Sequence, residues 1–399
     1  MVASYFGSGS IFIASQAGVE YGYVLLWAVV GAVLLGFMAQ DMSARLGIFG
    51  DTLMGFMRRR LGKGPSLTIA LFLSIGCVAW CLALCAAVGM SIQVLTGDAI
   101  PWQPLAVLTA VAAILVGILD YSKIEKIMTA MMFLLLVLYL IVAGASQPDL
   151  VDVAMGFVPS VPDVGAIVLG AAILGTTALW PNFFLESILV RRKGWNSHKH
   201  VKTMRTDLSI GYTVGGLITL AIIIVAANVL RPAGYTELST FVAPGEALAA
   251  VLGQWAMIVF LVGVVCAAFN SIIPIMWTVP FMILEALDID HRDGTSRGFK
   301  RIFAVATGLG ALSPLVAAVT GLSVVQMITL FPAFNGVFGL PITAALLFWA
   351  VNDRKVMGKE TNTWGLNLVN VTLVIFAAYV AVRSASGVMN QIFGGMLGG

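Results

Sequence analysis

The chain has 399 residues, 60% of them hydrophobic and 10% charged, with a net charge of +3 and a mean hydropathy of +0.99. An ordinary soluble domain carries about 25% charged residues, so this composition excludes one and places most of the chain in lipid. No nucleotide loop, metal-hydrolase motif or nucleophile with a neighbouring base is present, so the sequence points neither to an enzyme nor to nucleic acid.

Taken in order, the chain opens with a six-residue apolar stub, 1–6, followed by Gly7-Ser8-Gly9-Ser10. Glycine costs about 1 kcal/mol in a helix interior, and a serine can cap the helix that follows it. The expectation is a helix broken at Gly7–Ser10, with Ser10 as the cap and 10–24 as the outer half. The stub is too short for a full inner half, so helix one reads as truncated and a start upstream of Met1 is expected. Helix two follows over 25–45. Further apolar runs fall at 67–95, 104–119, 127–145, 164–190, 208–230, 247–285, 300–320, 323–350 and 364–382, which makes eleven spans. A span needs about 20 residues. The run 247–285 exceeds that, and Pro274 and Pro280 are expected to bend its far end.

The sixth span carries the main irregularity. Leu174 to Ser187 holds Thr176, Thr177, Pro181, Asn182 and Glu186 in the middle of an apolar run. Pro181 lacks an N–H and its ring crowds the preceding turn, so the helix should break near Trp180. Freed backbone groups are tolerated in a bilayer only where they face protein or a wet cavity. Two interrupted helices, each opening a group of five, form the pattern of an inverted-repeat transporter with its site between them.

The basic residues fix an orientation. The loops after helices two, four, six, eight and ten hold 20 of the 22 lysines and arginines, leaving only Arg231 and Arg383 on the other face. By the positive-inside rule the N-terminus is cytoplasmic, the C-terminus external, and the protein a multi-pass component of the cell membrane. Cys77, Cys81 and Cys85 share one helix face, as packing residues or as soft-metal ligands. His198, His200 and His291 fall in basic loops, as solvated residues.

Over nearly its whole length the chain resembles the NRAMP family of divalent-metal transporters. The resemblance rests on Ala17-Gly18-Val19-Glu20-Tyr21-Gly22-Tyr23-Val24-Leu25-Leu26-Trp27 and on Ser43-Ala44-Arg45-Leu46-Gly47-Ile48. Leu174-Gly175 through Asn182-Phe183-Phe184-Leu185, Phe269-Asn270-Ser271 and Asn352-Asp353-Arg354-Lys355-Val356-Met357-Gly358 carry it further. It implies an all-α, leucine-transporter-like inverted repeat of about eleven transmembrane helices, with helices one and six broken, in a single domain over 1–399. It also implies proton-coupled transport of a divalent metal by alternating access.

The residues expected at the family's functional positions differ. Its helix-one Asp-Pro-Gly-Asn falls on Gly7-Ser8-Gly9-Ser10, and its helix-six Met-Pro-His falls on Leu179-Trp180-Pro181. Its helix-three acidic pair falls on Cys81 and Leu84, its helix-ten glutamine near Ala333, and its second helix-six histidine on Glu186. Dehydrated Mn²⁺ or Fe²⁺ wants carboxylate oxygens, with nitrogen or sulfur tuning selectivity, and these substitutions remove them. No metal-ligand set and no resident cofactor is therefore expected, and the coupling ion is H⁺ or Na⁺. The substrate-binding candidates are Gly7, Ser8, Gly9, Ser10, Thr176, Thr177, Leu179, Trp180, Asn182, Asn270 and Asn335, with Glu186 as the coupling candidate.

Helix N–H donors beginning near Ser10 and Asn182 would suit a carboxylate, so a small organic solute competes with a cation as cargo. A non-transporting sensor or scaffold on the same fold is the third reading. The partners implied are the small solute or cation and the lipid bilayer.

Overall fold

A computed structural model of the chain describes residues 8–118, 122–236, 238, 240–289 and 296–397. Every regular element among them is helical. In the first half these are α1 (Ser8–Tyr21), α2 (Leu26–Phe49), α3 (Leu53–Leu61), α4 (Lys63–Leu95), α5 (Trp102–Ile118), α6 (Ser122–Ala145) and α7 (Leu150–Met155). The broken sixth span is α8 (Val164–Thr177) and α9 (Trp180–Arg192), followed by α10 (His198–Val225), which runs on through a π-helical turn to Leu230. Then come α11 (Ala243–Leu252), α12 (Trp255–Leu287), α13 (Arg297–Gly308), α14 (Ser313–Thr320), α15 (Val324–Phe334), α16 (Leu340–Asn352), α17 (Arg354–Met357) and α18 (Trp364–Leu397).

Among the described residues eight helical stretches are each long and apolar enough to cross a bilayer, and Trp102–Ile118, Phe133–Ala145 and Ala243–Leu252 are shorter apolar helices. They follow, in order, apolar runs read from the sequence. Two boundaries differ from expectation. The long run 247–285 is divided at Gly253, whose φ of +93° ends α11 with a left-handed step that a side chain would resist. The prolines at 274 and 280 lie inside a continuous α12, so the excess length is absorbed at the glycine. In α1, Ser8 and Gly9 are already helical, so Ser10 lies within the helix and is not the cap that the sequence suggested.

The core is built on the broken span. Val164–Arg192 is the most deeply buried of the eight stretches. It is packed by α1, α2, α12, α15 and α18. Close approach is achieved with glycine: a Cβ on Gly175 would meet the Pro332 carbonyl at 2.3 Å, and one on Gly336 the Ala171 carbonyl at 2.2 Å. Small residues at helix crossings are how membrane helices gain dispersion contact without a hydrophobic driving force.

At the end of the bundle away from the basic loops, Asp163 caps α8 by accepting from the Ala166 N–H at 2.8 Å and from the Tyr21 hydroxyl at 2.8 Å. Those donors, the Ala166 N–H foremost, hold its carboxyl below the usual carboxylate range. They tie the outer end of α1 to the start of α8.

Candidate functional site: a neutral cavity at the helix break

The break comes just before Trp180. α8 ends at Thr177, Ala178 and Leu179 leave the helical region (ψ +71° and +93°), and α9 restarts at Trp180. Pro181 therefore lies in the first turn of α9, where an absent N–H costs nothing and its fixed φ suits the helix. Asn182 donates its N–H to the Leu179 carbonyl at 3.0 Å. The expected donor at Asn182 is thus engaged, and α9 offers few free N–H groups to an anion. At the end of α8 the Leu174 carbonyl accepts the Ala178 N–H at 2.8 Å. A helix leaves its final four C=O groups without intrahelical partners, and Pro181 has no N–H to give the one at Thr177.

A cavity lies against this break. Gly9 and Ser10 of α1, Thr176 of α8 and Leu179 of the break line it, facing Trp80 and Leu84 of α4 and Ser271 and Ile275 of α12. The space open to the centre of a water-sized sphere is about 10 Å³, room for roughly one water molecule. The site is closed in this conformation. Of its hydroxyls, Thr176 donates to the Ala172 and Ile173 carbonyls (3.0 and 3.2 Å) and Ser271 to the Ala267 carbonyl (2.9 Å). With their protons committed to their own helices, these oxygens present lone pairs.

The structure brings together four of the residues expected from sequence, Gly9, Ser10, Thr176 and Leu179. Ser8 is helical, the first described residue of α1, and Gly7 lies outside the described residues. Thr177 is 4% exposed and its hydroxyl has no hydrogen-bond partner among the described residues. Trp180 and Asn335 face each other instead of the cavity. The indole Nε1 donates to Asn335 Oδ1 at 3.0 Å, while Asn335 Nδ2 donates to the Gly76 and Phe331 carbonyls at 3.2 and 2.9 Å. One buried amide thus links α4, α9 and the π-helical turn Asn335–Gly339 between α15 and α16.

Asn182 and Asn270 are buried and do not line the cavity. Sequence reasoning missed Trp80, Ser271 and Ile275. The signal was helical phase: Trp80 with Leu84, and Ser271 with Ile275, are four apart and share a face.

Glu186 is 3% exposed and accepts from Gln40 Nε2 at 3.1 Å, and the Tyr212 hydroxyl donates to Gln40 Oε1 at 3.1 Å. Arg191 donates to the Gly50 carbonyl at 2.7 Å, and Arg192 lies over the Phe281 ring. Nearer the basic end, Asp41 accepts from Arg45 at 2.8 Å and from Arg205 at 2.7 Å, and Arg45 also donates to Asn362 at 2.6 Å.

Cys81 and Cys85 lie with their sulfurs 4.0 Å apart. Among the described residues no three His, Cys, Asp or Glu side chains converge as metal ligands. His198 meets Glu360 at 3.2 Å and His200 meets Ser197 at 3.0 Å, while His291 lies outside the described residues.

The chain matches the Nramp family, described as natural resistance-associated macrophage protein-like, over residues 1–386. It belongs to the Nramp family. It is 24% identical over 397 residues to the divalent metal cation transporter MntH of Pectobacterium carotovorum subsp. carotovorum, covering 96% of this chain and 92% of that protein. It is 28% identical over 274 residues to MntH of Erwinia tasmaniensis, covering 67% of this chain and 66% of that protein.

Its fold is similar to that of the Eremococcus coleocola manganese transporter, with a TM-score of 0.78 at 19% identity, covering 98% of this chain and 86% of the other. It is also similar to MhsT solved with L-phenylalanine, with a TM-score of 0.63 at 15% identity over 98% and 97% of the two chains. This Nramp protein is therefore a polytopic membrane transporter of leucine-transporter fold, and not an enzyme.

Proposed function

We propose that this Nramp protein is a secondary transporter that carries a cation by alternating access through the cavity at the α8–α9 break. The observation that carries the reading is the polarity of the lining. Thr176 and Ser271 have spent their protons on helix carbonyls, so the cavity offers oxygen lone pairs. The released carbonyls and negative dipole end of α8 add to them. The same polarity weighs against a carboxylate-bearing solute, which would need donors, and Asn182 has already given its N–H to Leu179.

The relatives' names carry the cation to the divalent class. The lining refines it. Ser10, Thr176 and Ser271 are hard oxygen donors, and Leu179 is apolar where the family resemblance puts a thioether. Hydroxyl, carbonyl and water oxygens suit Mg²⁺ or Mn²⁺, and the absence of sulfur removes any preference for softer ions. Without a carboxylate in the lining, two charges cannot be neutralised there, so the ion keeps waters and binds weakly. Glu186, on the basic side of the break, is the coupling residue, taking H⁺ or releasing it as α2 and α9 move relative to each other. The basic loops face the cytoplasm, so the N-terminus is cytoplasmic and the C-terminus external.

Uptake into proteoliposomes tests this. Mg²⁺ and Mn²⁺ should enter at millimolar concentrations with little discrimination between them and no preference for Cd²⁺, and Glu186→Gln should uncouple that uptake from a pH gradient. Gly9→Val should abolish it in a protein that still folds, since a Cβ there already comes within 3.3 Å of Thr176 and 3.4 Å of Pro332. Micromolar Mn²⁺ binding, or concentrative uptake of an organic acid, would overturn the cargo assignment. Failure of every solute tried in a folded protein would favour the sensor.

A further inference from the structure

A second site stands apart from the cavity, on the outer face of α10 at the basic end of the bundle. A shallow, open groove lined by α10 alone runs along the first three turns of the helix. Its polar lining is Lys202, Arg205, Thr206 and Ser209, with Ile210 at its inner end and no acidic side chain in its wall. Lys202, Thr206 and Ser209 are exposed, Ile210 is 55% exposed, and Leu217, two turns further on, is 45% exposed. The open stripe of α10 therefore changes from cationic to hydroxylic to apolar along the helix. At 1.5 Å per residue, Lys202 to Leu217 spans about 22 Å. That ordering is the ordering of a lipid leaflet, with phosphate outermost, then glycerol, then acyl chain.

Arg205 is held ready for such a ligand. Its Nε and one Nη donate to the two oxygens of Asp41 at 2.7 and 3.3 Å, yet the side chain remains 43% exposed and lines the groove. Asp41 is shared with buried Arg45, so two guanidinium groups face one carboxylate and a net positive charge is left over. Lys202 adds a second positive charge to the groove, whereas His198 at its rim is occupied by Glu360. A fixed guanidinium loses little entropy on binding a phosphate, and its planar fork suits phosphate oxygens.

We propose that this groove binds the headgroup of an anionic phospholipid from the leaflet on the basic side. Lys202 and Arg205 hold the phosphate, Thr206 and Ser209 meet the headgroup and glycerol oxygens, and Ile210 and Leu217 support an acyl chain. Because Arg205 also grips Asp41, the bound lipid joins α10 to α2, two helices that must keep their register as the transporter cycles. The inference stands independently of the cargo assignment.

The test uses the full chain in nanodiscs of phosphatidylcholine mixed with phosphatidylglycerol, with retained lipid read by native mass spectrometry. Wild type should retain a phosphatidylglycerol in preference to phosphatidylcholine. Lys202→Gln should weaken that retention about fivefold, and Lys202→Glu more than tenfold, at about 1 kcal/mol per basic charge. Lys202 is exposed and outside the Asp41 cluster, so both variants should fold; if Lys202→Glu does not, Lys202→Gln decides alone. Equal retention by wild type and variant would overturn the proposal. So would displacement of the lipid by millimolar inorganic phosphate, which would make this a free-anion site.

Discussion

The two polar regions of this transporter are built on opposite terms. At the α8–α9 break the lining is hydroxyl and apolar, and among the described residues no charged side chain enters it. Toward the basic end, Asp41, Arg45 and Arg205 form a buried ionic cluster, with Gln40, Glu186 and Tyr212 next to it. A charge in a low-dielectric interior is costly unless paired and hydrogen-bonded. The cluster meets that condition with two arginines on one carboxylate. The break avoids the condition by carrying no charge. The ion-pair chemistry that holds helices together has thus been separated from the oxygen chemistry available to a cargo.

The comparison can be broken most forcefully at the cluster. Asp41→Asn leaves Arg45, 7% exposed, without its counter-charge, and should destabilise the protein by about 3 kcal/mol or more. Thermal unfolding in detergent would read this as a large drop in midpoint. Arg205→Gln should cost far less, because that side chain is 43% exposed and water can screen it. Equal losses from the two variants would mean that the cluster behaves as a surface network.

A smaller effect is expected where the neutral region touches its scaffold. Asn335→Leu strands the Trp180 N–H at 0% exposure and should cost about 1–3 kcal/mol. Adding Trp180→Phe, which removes the stranded donor, should recover part of that loss. A double variant no more stable than the single one would show that the amide serves Gly76 and Phe331 more than the indole.

The smallest effect sharpens the comparison at the break itself. Thr177 buries a hydroxyl without a partner among the described residues, so Thr177→Val should change stability by no more than about 0.5 kcal/mol, or raise it slightly. Its transport should nonetheless fall severalfold if that oxygen meets the cargo in an open state. Unchanged uptake kinetics would remove Thr177 from the site.

Much of this was legible in one dimension. Eleven spans follow from apolar runs, because a bilayer imposes a length and leaves only a helix to satisfy the backbone. The break in the sixth span announced itself through Pro181 and its polar neighbours, and it falls at Ala178 and Leu179, just before Trp180 where it was expected. Asp41 and Arg45 stand four apart, neighbours on one helix face, and they pair.

What the order of residues could not supply was the third partner and the facing side. Arg205 reaches Asp41 across 164 positions, and Trp180 reaches Asn335 across 155. Asn335 reads from sequence as a cargo ligand until the indole is seen to occupy it. Local spacing fixes which side chains share a helix face. Only the packing of α4, α9 and the turn after α15 decides whether that face meets a cavity or another side chain, because a buried polar group is settled by whichever partner reaches it first.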